Sequence, residues 1–296
     1  MTPVVAIIAA GAMGAGVGKR LTSYGVRVLT ALTGRSEATA ARARDARMIA
    51  ASDGEIAAAD FILSILPPGD AVSLAQHLAP ALAASNAKPV FVECNAVNPA
   101  TVESIAAVIA PTGSAFVDVG IIGPPPPPIP PRQAGEGRVE VSGPRFYASG
   151  HAAPRFAALR QYGLDVRVLD GPASAASALK MSYAGITKGT QAIAAAMMLA
   201  AMRAGSAAAL YDELAISQKE LLAQLSQQLP AMPAKAYRWI AEMQEIAGFA
   251  GDDLAARQLY EGAARFYQRM AQDFAADQKA VGALKEFLGK GTVTRS

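Results

Sequence analysis

Short apolar runs alternate with helical patterns along the first half of the chain. The helical patterns repeat apolar residues every three to four positions, and the apolar runs are short enough to be buried strands. Strands are predicted at residues 4–8, 26–32, 47–51, 59–66, 89–93, 116–119, 138–141 and 165–169. Helices are predicted between them, the last at residues 153–162. This alternation is typical of a parallel sheet covered by helices.

After residue 171 the strand pattern ends. An Ala-rich helix is predicted at residues 173–204, and helical pattern continues to residue 288 with breaks near Pro230, near Pro233 and at residues 248–251. A change from alternating elements to helices alone marks a domain boundary. We therefore predict an α/β Rossmann-type N-terminal domain over residues 1–172 and an all-α C-terminal domain over residues 173–296.

The first predicted strand ends in a turn of small residues. Gly11 and Gly14 stand at the second and third glycines of the spacing Gly-X-Gly-X-X-Gly, and Ala9 stands at the first. Small residues let backbone amides approach a pyrophosphate, and the helix that follows presents its positive end to that anion. The turn, which also contains Ala12 and Met13, is predicted to bind a dinucleotide. A plain glycine-rich turn is the alternative.

The second strand ends at Thr33, Gly34, Arg35 and Ser36, where a carboxylate would bind the ribose of NAD. These four residues offer a guanidinium and two hydroxyls instead, which suit the 2'-phosphate of NADP. NADP, as NADPH in the reduced form, is therefore the predicted cofactor, and NAD is the less favoured one. The alternative is that Arg35 is a solvated side chain in a loop.

Composition narrows the function classes. Hydrophobic residues make up 52% of the chain and charged residues 17%, and the net charge is +3. The basic residues are scattered, which argues against binding to nucleic acid or to a membrane. Cys94 is the single cysteine, so no disulfide framework is expected, and no pattern requires a metal. We expect a cytoplasmic protein that acts on a small-molecule substrate.

The order of these motifs resembles the β-hydroxyacid dehydrogenase superfamily over almost the whole chain. The superfamily's cofactor motif, Gly-Leu-Gly-X-Met-Gly, is matched by residues 9–14. Leu66, Pro67 and Pro68 resemble its Leu-Pro segment, which implies that they lie beside the nicotinamide. The runs GIIGPPP and ASALKMSYAGITKG resemble a subgroup whose C-terminal domain, of unknown function, is similar to that of phosphogluconate dehydrogenase.

The same resemblance implies a substrate-binding segment that differs from the superfamily pattern. The motif Asp-X-Ser-Thr-X-X-Pro aligns with residues 93–99, so Asn95 and Ala96 replace the serine and threonine, and Asn95 is implied near both substrate and cofactor. The motif Asp-Ala-Pro-Val-Ser-Gly aligns with residues 118–123 and loses its serine to Ile122. The implied substrate-lining residues are Gly120, Ile121, Ile122 and Gly123. A substrate unlike a simple short hydroxy acid is expected.

The resemblance places the catalytic lysine at Lys180 in the long helix, while the usual asparagine partner is replaced by Ala184. Tyr183 and Thr187 share a helix face with Lys180, and either could replace that asparagine. Lys188 is a second choice as a substrate-binding residue. Without the resemblance, the favoured reading of Lys180 is a lysine that covers apolar surface.

These observations predict an NADP-dependent oxidoreductase that transfers a hydride between nicotinamide and a hydroxyl or carbonyl of a small β-hydroxyacid-like substrate. Lys180 is its predicted acid/base. Two alternatives stay open, namely an imine reductase and a non-catalytic NADP-binding module. Because members of the superfamily pack the long helix against a partner subunit, a homodimer is also expected.

Overall fold

The computed structural model describes residues 2–127 and 143–289. The chain divides into two compact units, Met1–Lys180 and Met181–Ser296. This division falls within a long helix. The domain boundary predicted after residue 172 lies just before that helix begins. The strand predicted at residues 138–141 lies outside the described residues.

The first unit is built on one eight-stranded sheet. Its strands are β1 (Val4–Ile8), β2 (Arg27–Thr30), β3 (Ile49–Ala50), β4 (Phe61–Ser64), β5 (Val90–Glu93), β6 (Ala115–Ile122), β7 (Arg145–Ser149) and β8 (Asp165–Val168). The strand order is β3-β2-β1-β4-β5-β6-β7-β8. The first six strands are parallel, β7 is antiparallel to β6, and β8 is parallel to β7.

Helices follow the strands of the first unit. They are α1 (Ala12–Ser23), α2 (Glu37–Asp45), α3 (Asp53–Ala57), α4 (Ala71–Ala84), α5 (Pro99–Ile109) and α6 (Ala153–Phe156). Both faces of the sheet are buried, since Val5 and Ile7 of β1 lie in one apolar cluster and Ala6 and Ile8 in another. This explains why the parallel strands are continuous apolar runs. The predicted α/β fold is confirmed.

Strand β7 was not predicted from the sequence. It is five residues long and lies between Pro144 and Gly150, which favour a loop reading. Its ladder with β6, in which Tyr147 pairs with Gly120, supplies the backbone hydrogen bonds that make it a strand. The helix predicted after it is α-helical only to Phe156 and continues as a 3₁₀ helix over Ala157–Tyr162.

The second unit is helical throughout its described residues. After α7 (Ala175–Arg203), which begins in the first unit, the chain forms α8 (Ala207–Ser217), α9 (Lys219–Gln228), α10 (Ala236–Phe249), α11 (Leu254–Ala275) and α12 (Lys279–Gly289). The predicted breaks near Pro230 and Pro233 are confirmed as 3₁₀ turns between α9 and α10. Over the described ranges, no helix has both the length and the apolar character needed to span a bilayer.

Candidate active site

The strand order of the sheet indicates where a ligand would bind. Strand β1 lies between β2 and β4, so the winding direction changes there. In open parallel sheets, ligands bind at such a point, outside the carboxyl ends of the strands. The turn at residues 9–14 follows β1, and the loop at residues 65–68 follows β4. Two of the predicted cofactor-binding segments therefore lie at the same edge of the sheet.

The turn after β1 fits a pyrophosphate. Gly11 is the N-cap of α1 and its cap has no side-chain hydrogen bond, so no capping side chain competes with an anion for the first amides of the helix. A Cβ added at Gly14 would overlap the carbonyl of Ala9, whereas a Cβ at Gly11 would meet no atom within 4 Å. Gly14 is thus required for close packing of helix on strand, and Gly11 borders open space.

The segment after β2 carries basic and hydroxyl groups. Thr33 and Arg35 are exposed, and the hydroxyl of Ser36 caps α2 by accepting from the Thr39 amide at 3.3 Å. Sequence reasoning overlooked Arg42 of α2, whose Nε donates to the Ala10 carbonyl at 3.1 Å. Its Nη2 also donates to the Thr39 hydroxyl at 2.9 Å. Arg42 therefore links the turn at residues 9–14, which we call the phosphate turn, to the start of α2. This contact joins segments that are far apart in sequence.

Asn95 is buried and holds the loop after β4. Its Oδ1 accepts from the amide of Leu66 at 2.6 Å, and its Nδ2 donates to the hydroxyl of Ser64 at 2.8 Å. Only 4% of the residue is exposed. Both ends of its amide are engaged within the first unit, so Asn95 fixes the segment of Leu66, Pro67 and Pro68.

A row of buried polar residues crosses the sheet beside this loop. Ser64, Glu93, Asp118 and Ser149 are successive neighbours in the registers of β4, β5, β6 and β7, and all four are fully buried. Registered neighbours direct their side chains to the same face of a sheet. Sequence reasoning missed this row because β4, β5 and β6 each contribute a single polar residue to an otherwise apolar run, and because β7 was not predicted.

Burial dominates the electrostatics of this row. It raises the pKa of Glu93 to about 8, opposed by the Asn95 amide, which donates to Glu93 Oε1 at 2.8 Å. Burial also raises the pKa of Asp118 to about 6, opposed by hydrogen bonds from Ser177 and Ser149. At neutral pH, Glu93 is therefore mostly protonated and Asp118 mostly ionised.

Lys180 reaches the end of β6 from the second turn of α7. Its Nζ donates to the carbonyl of Ile121 at 2.6 Å. A Cβ at Gly120 would lie 2.6 Å from the Ala176 carbonyl and 3.2 Å from Lys180 Cβ, so only glycine lets the helix approach the strand this closely. The structure thus brings Lys180 to the segment predicted to line the substrate, in which Ile122 is buried and Gly123 exposed.

The other predicted site residues of α7 belong to the second unit. Tyr183 is 46% exposed, and the Thr187 hydroxyl donates to the Tyr183 carbonyl at 2.8 Å. Lys188 forms an ion pair with Glu242, and its Nζ lies 5.2 Å from the centroid of the Trp239 ring. Sequence reasoning missed Glu242, since no local pattern connects it with α7.

Two family models match the chain. Residues 4–126 match the NAD binding domain of 6-phosphogluconate dehydrogenase. The chain carries an NAD-binding domain of the 6-phosphogluconate dehydrogenase type. Residues 201–270 match a domain of unknown function, DUF1932. Together with the structural likenesses below, these matches confirm the predicted resemblance to the β-hydroxyacid dehydrogenase superfamily and to its subgroup with such a C-terminal domain. No curated protein matches the chain.

Solved structures share this fold over nearly the full length. A conserved protein of unknown function, described as similar to 3-hydroxyacid dehydrogenases, has 25% identity and a TM-score of 0.65, with coverage of 90% of this chain and 96% of that chain. The 3-hydroxyisobutyrate dehydrogenase of Mycobacterium tuberculosis, solved with L-serine, has 19% identity and a TM-score of 0.64, with coverage of 96% and 100%.

An imine reductase of Myxococcus stipitatus has the same fold. Its complex with NADP+ shows 18% identity and a TM-score of 0.51, with coverage of 97% of this chain and 100% of that chain. A variant of that enzyme in complex with NAD+ shows 17% identity and a TM-score of 0.54, with coverage of 91% and 99%. These likenesses agree with the assignment of an NAD(P)-binding domain to this chain. They also agree with its assignment as a dehydrogenase or reductase of the β-hydroxyacid type.

Proposed function

We propose that the protein is an NADP-dependent oxidoreductase that acts on a small β-hydroxyacid-like substrate. In the oxidative direction, the carbinol carbon gives up a hydride and its hydroxyl gives up a proton, and a carbonyl forms. Bound NADP supplies the hydride acceptor. The protein's task is to hold the substrate and move the proton, and Lys180 is the group proposed for that step.

The placement of Lys180 is the observation that carries this proposal. Its Nζ donates a hydrogen bond to the Ile121 carbonyl, within the segment proposed to line the substrate. This segment lies at the carboxyl end of β6, the side of a parallel sheet where ligands bind. A lysine there can accept the hydroxyl proton in oxidation and return it in reduction. Gly120, Ile121, Ile122 and Gly123 are proposed to line the substrate. Both glycines pack closely against neighbouring protein atoms, and buried Ile122 would make this wall apolar.

Tyr183 and Thr187 are proposed as further residues near the substrate, with Lys188 as a second choice. Tyr183 exposes 46% of its surface, so its side chain is not enclosed in the core. The Thr187 hydroxyl donates to the Tyr183 carbonyl and can still accept a hydrogen bond. Asn95 is proposed to act indirectly, because its side-chain amide already holds the loop at Leu66 by a hydrogen bond.

The preference for NADP over NAD rests on the guanidinium groups after β2. Arg35 is exposed there, and Arg42 lies against the phosphate turn. Glu37, the acidic residue in the first turn of α2, pairs with Arg44 at 2.5 Å. A 2'-phosphate bound after β2 would therefore have guanidinium groups available, and the nearby carboxylate of Glu37 has a basic partner. NADPH is expected to bind about tenfold or more tighter than NADH, as loss of a charged hydrogen bond would imply.

The first experiment is a parallel titration of the purified protein with NADPH and NADH, followed by nicotinamide fluorescence. Arg35→Gln and Arg42→Gln should each weaken NADPH binding more than NADH binding. Lys219→Gln, at an exposed lysine of α9, is the control and should change neither. Preference for NADH would overturn the cofactor assignment, and binding of neither would overturn the assignment of the phosphate turn.

The catalytic assignment is tested with Lys180→Met on a substrate found by screening hydroxy acids, ketones and cyclic imines with NADPH. Turnover should fall about 10²-fold to 10⁴-fold, as expected for loss of an acid/base, while the dissociation constant for NADPH stays within twofold. Full turnover by this variant would show that Lys180 has another role. Turnover confined to cyclic imines would favour an imine reductase, and NADPH binding without turnover on any substrate would favour a non-catalytic module.

We also propose that the protein forms a homodimer through α7. Ile186, Ile193 and Met197 follow one face of this helix and expose 70%, 52% and 58% of their surface. An apolar stripe of this kind on a helix marks an association surface. Light scattering should give the mass of a dimer at micromolar concentration, and Ile193→Glu should shift the protein to monomer. A monomeric wild-type protein would contradict the proposal.

The cytoplasmic location stays a prediction.

A further inference from the structure

We propose that Asp118 is a positioning residue for Lys180. Its buried carboxylate fixes the first turn of α7 on the sheet and thereby keeps Lys180 Nζ at the Ile121 carbonyl. The functional meaning of this inference rests on the proposed catalytic role of Lys180. The contacts themselves lie entirely within the first unit.

Both carboxylate oxygens of Asp118 bind the start of α7. Oδ2 accepts from the Ser177 amide at 2.7 Å, and Oδ1 accepts from the Ser177 hydroxyl at 2.6 Å. Asp118 is fully buried and Ser177 is 1% exposed, so water does not compete for these bonds. Two charge-assisted bonds to a single residue fix that residue in orientation as well as in distance.

Ser149 of β7 extends this anchor to the residues before Ser177. Its hydroxyl oxygen accepts from the Ala176 amide at 2.9 Å and lies 3.0 Å from the Ala173 carbonyl. The same hydroxyl lies 3.3 Å from Asp118 Oδ2. The first amides of a helix have no partner within the helix and carry a partial positive charge. Here two strands supply those partners, and the negative charge of Asp118 suits that end of the helix.

The anchor determines where Lys180 lies. Ile121 is the third residue after Asp118 on β6, and Lys180 is the third residue after Ser177 on α7. Three residues thus separate the two contacts on each element, about 10 Å along the strand and about 4.5 Å along the helix. Gly120 lies between the two contacts, with the Ala176 carbonyl packed directly over it. A shift of the first turn of α7 would consequently move Lys180 away from Ile121.

An amide at position 118 would hold the first turn of α7 less firmly than the carboxylate. Its oxygen can accept from the Ser177 amide, but its NH₂ group would then face the Ser177 hydroxyl, which donates in the structure and would have to turn and accept instead. Asp118→Asn also removes the negative charge, so the contacts with Ser177 lose their charge assistance and the start of the helix loses a favourable partner. The variant nearly conserves side-chain volume, so its effect is on the anchor.

The test measures the reactivity of Lys180 in the full chain without a substrate. The protein is treated briefly with limiting acetic anhydride, and acetylation of each lysine is quantified by peptide mass spectrometry. In Asp118→Asn, Lys180 should react at least fivefold faster than in the wild type. Lys88 is the internal control, because its Nζ is also held by backbone carbonyls of the first unit, those of Leu82, Ala83 and Thr112.

The comparison of the two lysines separates positioning from general loosening. An equal rise at Lys180 and Lys88, or no rise at Lys180, would overturn the inference. If Asp118→Asn does not fold, Ser177→Ala removes only the hydroxyl donor and should raise Lys180 reactivity about twofold to fivefold, with Lys88 unchanged. An unchanged Lys180 in that variant would also overturn it.

Failure of this inference is distinguishable from failure of the proposed function. If Lys180→Met keeps full turnover, Lys180 is not the acid/base, whatever the acetylation rates. If Lys180→Met is inactive but Asp118→Asn leaves Lys180 reactivity unchanged, only the positioning inference is wrong. If both are right, Asp118→Asn lowers kcat at least tenfold with an unchanged dissociation constant for NADPH.

Discussion

Two regions of helix α7 hold a lysine in opposite ways. At its start, Lys180 donates to the uncharged carbonyl of Ile121. Farther along, Lys188 pairs with Glu242 and lies over the ring of Trp239. The side chain of Glu242 is 7% exposed and that of Lys188 is 19% exposed, so the ion pair is largely removed from water.

The difference agrees with the roles proposed for the two lysines. Without the charge of Lys188, the buried charge of Glu242 would lose its partner, which is strongly unfavourable. The contact of Lys180 with Ile121 is made to an uncharged carbonyl, and a lysine has N–H donors for such a contact in either protonation state. Lys180 is therefore kept as the proposed acid/base, and Lys188 is proposed to stabilise the helical unit.

The largest effect on stability is expected where the ion pair is broken. Glu242→Ala leaves the Lys188 charge without its partner and should lower the free energy of unfolding by about 3–5 kcal/mol. Urea unfolding followed by the fluorescence of Trp239, the single tryptophan, reports on this unit directly. The double variant with Lys188→Met should recover most of the loss. A loss below about 1 kcal/mol in Glu242→Ala would show that the pair is not buried in solution.

A pH effect is expected from Glu93, a buried acid whose hydrogen bond comes from the Asn95 amide. Its pKa is raised from 4.5 to about 8, so the folded state binds this proton more tightly than the unfolded state. Its contribution to stability is full below about pH 4.5 and is lost as the pH rises toward 8. The free energy of unfolding should fall by a few kcal/mol over that window, since each pKa unit corresponds to about 1.4 kcal/mol.

Glu93→Gln should flatten this dependence, because an amide does not titrate. The control is Glu261→Gln, at a half-buried glutamate of α11, which should leave the slope unchanged. A wild-type protein whose stability rises steadily from pH 5 to pH 8 would contradict the burial of a neutral Glu93.

A smaller effect is expected where α7 approaches β6. Gly120→Ala would place Cβ 2.6 Å from the Ala176 carbonyl oxygen. Because both atoms are bonded directly to backbone atoms, neither can move aside as a flexible side chain would. Overpacking of this kind costs about 1–3 kcal/mol. Gly262→Ala in α11 is the matched control, since its Cβ would meet no atom within 4 Å. That variant should stabilise by about 0.5–1 kcal/mol. Equal effects of the two substitutions in thermal unfolding would contradict the close approach.

The smallest effect is expected at Lys180 itself. Lys180→Met removes the hydrogen bond to the Ile121 carbonyl from a half-buried side chain and keeps much of its apolar length, so stability should change by less than about 1 kcal/mol. Lys188→Met, which leaves Glu242 buried alone, should cost about 3 kcal/mol or more. Urea unfolding of the two variants side by side measures this contrast. Similar losses in both would remove the distinction between the two lysines.

Much of the first unit could be predicted from the sequence because its signals are local. The apolar runs gave the six parallel strands, and the small residues after β1 marked the phosphate turn. Asn98 caps α5 and Pro99 is its first residue, which is a local pattern typical of a helix start. Each of these features depends on residues within about one turn or one strand of each other, so the pattern of the chain carries the information.

The features that the sequence did not predict depend on contacts between distant segments of the chain. Strand β7 needed its ladder with β6, and the tie from Arg42 to Ala10 needed α2 to pack beside the phosphate turn. The polar row from Ser64 to Ser149 exists only once the strand register is set. A single polar residue in a buried strand is ambiguous in sequence, because its partners lie on other strands.

The sequence by itself thus determined the order of elements, the division into a sheet-containing unit and a helical one, and the place of the dinucleotide turn. Backbone propensity and apolar periodicity decide these features locally. The tertiary structure alone decided the partners of the buried charges, with Asp118 bound to Ser177 and Lys188 bound to Glu242. The free energy of a buried charge depends on the groups around it in space, and sequence distance does not determine those groups.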